Sequence, residues 1–240
     1  DFETNANFEN VIATAGNDII SGDGADNEIR ALGGDDTIFG GAGSDHLLAG
    51  GGDDLIVGGD EGGETDTLDY SDDPNGVTVV FTADETGTVT GTSAGTDAFS
   101  QIERLMLSDE DDAVNASATT GGVRVLLGNG DDFIRPGQGA DSMDGGDGID
   151  EIGYFDSTVG VSVNAATGQG SGGMAEGDVF SGFERFSLTD FDDVFTGSEE
   201  HESVDGSIGN DDLQGESGND TLIGGQGECF RKQGFNDLPI

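Results

Sequence analysis

The sequence predicts an all-β solenoid assembled from nonapeptide repeats, laid out in three arrays joined by irregular β segments. Three observations predict it. Two chemically different positions recur together every nine residues, 45 of the 240 residues are glycine, and the stretches between the arrays alternate apolar with polar residues.

The repeat is clearest in Gly40-Gly41-Ala42-Gly43-Ser44-Asp45-His46-Leu47-Leu48, a pattern of Gly-Gly-x-Gly-x-Asp-x-aliphatic-x. It returns as Gly145-Gly146-Asp147-Gly148-Ile149-Asp150-Glu151-Ile152-Gly153, with close copies over residues 206–214 and 215–223. Position 6 forms a first array of Asp18, Asn27, Asp36, Asp45 and Asp54, followed by Asp66 after an insertion within residues 58–64. A second array runs Asp132, Asp141, Asp150, and a third Asp193, Glu202, Asp211, Asp220. Position 8 keeps the same phase: Ile20, Ile29, Ile38, Leu47, Ile56 and Leu68, then Ile134, Met143 and Ile152, then Phe195, Val204, Leu213 and Leu222. An acid and an apolar residue that share one period define one structural unit with a turn and a short strand.

The organisation that follows is a first array with its preceding β segment (residues 1–70) and a connecting β segment (71–111). A second array (112–156), a second connector (157–192), a third array (193–228) and a tail (229–240) complete it. The connectors resemble each other: Gly76-Val77-Thr78-Val79 parallels Gly160-Val161-Ser162-Val163, and Phe99-Ser100-Gln101-Ile102-Glu103-Arg104 parallels Phe180-Ser181-Gly182-Phe183-Glu184-Arg185. Phe8, Ile102 and Phe183 each precede an acid (Asp18, Asp112, Asp193) by ten residues, so a longer unit also repeats. The adjoining Glu9, Glu103 and Glu184 are expected to satisfy backbone groups or cap a coil edge, and Arg104 and Arg185 to pair with nearby acids. In the tail, Cys229 stands where the pattern asks for Asp, and the repeat collapses into Phe230-Arg231-Lys232-Gln233.

Composition narrows the function. Fifty-one Asp and Glu against seven Lys and Arg leave a formal charge of −44, which opposes compaction unless cations bind and disfavours nucleic acid and anionic membranes as partners. The same composition fits a disordered acidic chain; the order of the residues, with its strict period, argues for a fold. One cysteine allows no internal disulfide, and no apolar run is long enough to span a membrane as a helix. A chain that begins with Asp1 and shows no signal-peptide pattern is expected to be part of a larger polypeptide.

Glycine-rich turns can aim backbone carbonyls at one point, and carbonyls with Asp carboxylates make a hard oxygen donor set that suits Ca²⁺ better than Mg²⁺. No Cys or His stands at zinc-ligand spacing in these turns. One aliphatic side chain per nine residues is too small a core to offset the entropy of ordering the repeat, so a cation is expected to be structural and folding to be coupled to it. The opposing reading is a metal-free solenoid with Asp as a solvated turn former; partners eighteen residues on argue against it.

These repeats resemble the RTX, or hemolysin-type, calcium-binding repeat. The resemblance implies a parallel β-roll in which six residues turn, three form a strand, and two nonapeptides complete a coil. It implies an ion between each turn and the next on the same side, pairing Asp18 with Asp36, Asn27 with Asp45, Asp36 with Asp54, Asp132 with Asp150, Asp193 with Asp211, and Glu202 with Asp220. Asp66 and Asp141 complete the set of acids. Gly40, Gly41, Gly43, Gly145, Gly146 and Gly148 belong to the metal-binding turns, and about six ions are expected. Asn27 and Glu202 depart from the consensus Asp, and the insertion leaves the pairing of Asp66 with Asp45 open. The resemblance further implies type I secretion from a Gram-negative bacterium and an extracellular location.

Catalytic motifs are scarce. Gly91-Thr92-Ser93-Ala94-Gly95 matches the G-x-S-x-G pattern, but its surroundings do not read as strand then helix, and His46 and His201 are the only histidines. No H-E-x-x-H occurs, and the formal glycosylation triplets at Asn115 and Asn219 are expected to stay unmodified. A structural calcium-binding module, with no enzyme activity of its own, is therefore expected. The alternatives are an adhesion or glycan-binding module using the connectors, or the accessory part of a secreted enzyme whose catalytic domain lies elsewhere.

Overall fold

The computed structural model describes residues 2–4, 10–59, 62–227 and 230–232. Glu9, Phe8 and Cys229 lie outside the described residues. Among the described residues, helix is confined to one 3₁₀ turn at Gly173–Ala175; most of the other regular structure is strands of three residues. Two compact units emerge: Asp1–Ala113 with Arg124–Asn129, and Val114–Val123 with Gly130–Ile240.

In the first unit, successive strands alternate between two parallel sheets. One sheet stacks Ile19–Ser21, Thr37–Phe39 and Leu55–Val57, with Ile20 opposite Ile38 and Ile38 opposite Ile56. The other stacks Asn10–Ile12, Glu28–Arg30, His46–Leu48, Thr67–Asp69, Arg104–Met106 and Arg124–Asn129. Neighbours within a sheet are eighteen residues apart in the regular part, so two nonapeptides make one coil. The insertion before Asp66 does not disturb this: Leu68 stands opposite Leu47.

Three residues per strand with side chains on alternate faces leave one inward position. That position is the aliphatic one: Ile20, Ile29, Ile38, Leu47, Ile56 and Leu68 are completely buried. β-Branched and aliphatic side chains suit such a half-buried pleat, and the residues on either side face outward or lie at the edge.

The second unit repeats the plan. Ile134, Ile152, Phe186, Val204 and Leu222 stack along one sheet; Val163, Phe195 and Leu213 stack along the other. Phe186 and Phe195, one from each sheet, meet with ring centroids 5.0 Å apart, so the two sheets share one core.

The connectors form antiparallel meanders built into the sheets. In the first unit Val77–Ala83, Thr86–Gly91 and Gly95–Ser100 run antiparallel, and the last strand joins Leu55–Val57 in parallel, with Phe99 opposite Ile56. In the second, Ser162–Asn164, Gln169–Ser171 and Val179–Ser181 do the same, with Phe180 opposite Met143. The G-x-S-x-G stretch is the tight turn between two of these antiparallel strands, not a strand-to-helix elbow, and Ser93 Oγ accepts a hydrogen bond from Asn75 Nδ2. Arg104 and Arg185 form no ion pair within 4 Å of a described acid. Arg30 (with Glu28) and Arg135 (with Asp156) do. Arg104 and Arg185 each open a short strand, where solvent screens the charge.

Candidate metal centre

Position 6 falls where the chain leaves the turn and enters the strand, which places its side chain between coils. There one carboxylate oxygen accepts the backbone N–H of the position-6 residue one coil earlier. Asp18 N donates to Asp36 Oδ1 at 2.7 Å and Asp36 N to Asp54 Oδ1 at 2.7 Å, while Asn27 N donates to Asp45 Oδ1 at 2.8 Å. Asp132 N reaches Asp150 Oδ1 at 2.8 Å, Asp193 N reaches Asp211 Oδ1 at 3.1 Å, and Glu202 N reaches Asp220 Oδ1 at 3.0 Å. Every pair that the sequence sets eighteen residues apart is thus joined by one hydrogen bond. Asp45 N to Asp66 Oδ1, at 2.8 Å, adds the pair that the insertion had left open.

The ladder continues through residues outside the nonapeptide count. Asp54 N donates to Asp97 Oδ1 at 2.9 Å and Asp141 N to Asp178 Oδ1 at 2.9 Å. Asp97 lies within the third strand of its meander, Gly95–Ser100, and Asp178 just before Val179–Ser181; each stands two residues before a core position, Phe99 or Phe180. The signal in the sequence is Asp-x-Phe, a position 6 and a position 8 without the glycines. Glu103 Oε2 accepts from Asp66 N at 2.7 Å and Glu184 Oε2 from Asp150 N at 3.0 Å, so these glutamates satisfy backbone groups at the coil edge.

A second ladder runs beside the first in the opposite sense. Position 5 accepts the backbone N–H of position 5 one coil later: Asn17 Oδ1 from Asp35 N, Asp35 Oδ1 from Asp53 N, Asp53 Oδ1 from Thr96 N. His201 belongs to this ladder, its Nδ1 accepting Asn219 N at 2.8 Å.

The remaining oxygen of the position-6 acids carries the chemistry. Oδ2 of Asp36, Asp45, Asp54, Asp150 and Asp211, and Oε2 of Glu202, are buried without a hydrogen-bond partner. A buried, unpaired carboxylate oxygen is costly, so the group needs a proton or a cation. Without one, burial pushes the carboxyls of Asp45, Asp54 and Asp150 up to about 6, against the lowering effect of the N–H bond from the previous coil.

Beside the oxygens of Asp45, Asp150 and Asp211 lies space that only a missing side chain leaves. A Cβ on Gly40 would lie 2.6 Å from the Gly58 carbonyl and closer still to Asp45 Oδ2. On Gly145 it would lie 2.6 Å from Asp150 Oδ2, and on Gly206 2.7 Å from Asp211 Oδ2. Gly41 and Gly146, next in the turns, have φ of +115° and +101°; Gly43 and Gly148 are also positive, at +105° and +154°. Among the described residues no three His, Cys, Asp or Glu side chains converge as a metal cluster. The donors present are single carboxylate oxygens flanked by backbone carbonyls, an all-oxygen set that fits a hard cation of flexible coordination such as Ca²⁺.

The sequence matches the family model of the RTX calcium-binding nonapeptide repeat over residues 4–38, 30–61, 124–152, 180–213 and 196–228, more than half of the chain. The chain belongs to the RTX calcium-binding repeat family. Its all-β architecture of parallel strands stacked every eighteen residues is the β-roll, and the protein is a module of calcium-binding repeats. No curated protein matched the chain. Among the described residues of this RTX module, no helix is long and apolar enough to cross a membrane.

Proposed function

We propose that this RTX chain is a structural calcium-binding module that folds when it meets Ca²⁺ after secretion. The observation that carries the reading is the set of buried carboxylate oxygens, in Asp36, Asp45, Asp54, Asp150 and Asp211, that lack any partner. When bound, Ca²⁺ supplies the positive charge that these oxygens need and neutralises part of the −44 charge. The chain's own part is to hold each carboxylate in place through the N–H of the previous coil and to keep side chains out of the cradle through its glycines. Asp36, Asp45, Asp54, Asp66, Asp150, Asp211 and Asp220 are the proposed carboxylate ligands.

Folding outside the cell follows from the same energetics. At low calcium the acids repel one another and the thin core cannot hold the coils together; at high calcium, binding to the folded state alone stabilises it. Calcium titration of protein dialysed against EGTA, read by far-ultraviolet circular dichroism, tests this. A coil-like spectrum converting cooperatively to β, with Mg²⁺ far less effective, is expected. A full β spectrum and an unchanged melting temperature in chelator would contradict it.

A further inference from the structure

We infer that the backbone conformation at position 2 of each turn divides the repeats into two classes, one that takes a cation and one that is closed by its own amide and needs none. This rests on the calcium reading above and refines it.

In the turns that end at Asp36, Asp45, Asp54, Asp150 and Asp211, position 2 is Leu32, Gly41, Gly50, Gly146 and Ser207. All five have positive φ: +79°, +115°, +91°, +101° and +60°. Oδ2 of each of these five aspartates is buried without a hydrogen-bond partner. Among the described residues, three that are not glycine adopt the left-handed conformation at position 2, Leu32, Ser207 and Glu216, although an L side chain resists it. The turn therefore demands that conformation even where the sequence does not favour it.

The other class shows no positive φ at position 2, and its amide points at the acid. Thr14 N donates to Asp18 Oδ2 at 2.9 Å, Ser108 N to Asp112 Oδ2 at 2.8 Å, Gly137 N to Asp141 Oδ2 at 3.0 Å, and Thr189 N to Asp193 Oδ2 at 2.9 Å. In three of the four the Thr or Ser hydroxyl adds a second bond to the same carboxylate. A carboxylate oxygen that already accepts one or two N–H or O–H bonds has its charge compensated and has less capacity left for a cation.

The neighbouring coil supports the division. Asp112, Asp141 and Asp193 accept from the amides of Val77, Val123 and Val161, so the coil before each of them has no carboxylate at position 6. The two departures from Asp also have an amide aimed at them, but Oε2 of Glu202 stays buried without a partner, so Asn27 alone of the two falls fully in the second class. Asp23 N donates to Asn27 Oδ1 at 2.9 Å, and Ser198 N to Glu202 Oε1 at 3.1 Å. An uncharged Asn is tolerated where the amide does the work of the cation.

The test counts bound ions. Wild-type chain and isosteric variants are dialysed to equilibrium against saturating radioactive Ca²⁺, with circular dichroism reporting the fold. D45N and D150N are each expected to bind one ion fewer than wild type; D141N and D193N are expected to keep the full number. As a second variant that alters no carboxylate, L32V places a β-branched side chain at a positive φ and should weaken one ion roughly tenfold. Loss of an ion in folded D141N or D193N, or an unchanged calcium isotherm in L32V, overturns the two-class rule. A wild-type chain that binds no Ca²⁺ at all would instead overturn the calcium reading on which the rule rests.

Discussion

The hydroxyl of Tyr70 donates to Asp97 Oδ2 at 2.5 Å, and Tyr154 makes the same bond to Asp178 at 2.9 Å. Each tyrosine sits just past the array and each aspartate two residues before the core phenylalanine of the third meander strand, so a phenol replaces the missing turn as partner of the outer oxygen. Burial is the main cause that raises both aspartates to about 7, with the tyrosine bond opposing it, and burial likewise raises both phenols well above their usual range. Tyr70→Phe and Tyr154→Phe leave a buried carboxylate oxygen without its donor and should each cost about 1–3 kcal/mol. Thermal unfolding at saturating calcium measures the loss, which should come with an unchanged number of bound ions.

Gly145→Ala places a methyl group against Asp150 Oδ2 and the Gly182 carbonyl. The expected result is loss of the ion held by that turn, with the first array unaffected. Isothermal titration should show one site fewer; an isotherm identical to wild type would mean that the cradle at Gly145 is not where the cation sits.

Calcium-free protein should respond to acid in the opposite sense to most proteins. The carboxyls of Asp45, Asp54, Asp66, Asp141 and Asp150 are pushed up to about 6, chiefly by burial, while an unfolded Asp titrates near ~3.9. Between those values the folded state binds more protons than the unfolded state, so stability falls as pH rises through the window. Asp18, held low by the Thr14 hydroxyl and amide, works the other way but alone. Chelator-treated protein should therefore gain β signal as pH is lowered from 7.5 to about 4.5. Calcium affinity should fall over the same range, because protons compete for the same oxygens. A β signal that declines on acidification without calcium would refute the assignment.

Ile38 is completely buried between Ile20 and Ile56. Ile38→Ala should cost about 2–5 kcal/mol, the usual range for emptying such a site. Its effect should appear as a higher calcium concentration at the folding midpoint rather than a lost ion, because no ligand is touched.

Much of this was legible beforehand. The nine-residue period at Asp36, Asp45 and Asp54 with Ile38, Leu47 and Ile56 sufficed to place turn, strand and core, because a short strand with one inward side chain must repeat its apolar residue in phase. Asp97 and Asp178 were missed because the meanders break the period ahead of them, and only the return of Phe99 and Phe180 to the core restores it. The position-5 ladder was missed because Asn17, Asp35 and His201 share no residue type, only an acceptor atom at one place.

The amino-acid sequence by itself determined the coil: which residues turn, which enter the core, and that oxygen-rich turns stack every eighteen residues. Tertiary structure alone decided what each acid does once stacked. Whether Oδ2 of a position-6 aspartate meets an amide, a tyrosyl hydroxyl or nothing depends on the φ angle at position 2 and on the neighbouring coil. Leu32 and Ser207 adopt a conformation that their side chains disfavour. Local preference cannot announce a backbone angle imposed by packing, and that angle separates the acids left open for calcium from those closed by the protein itself.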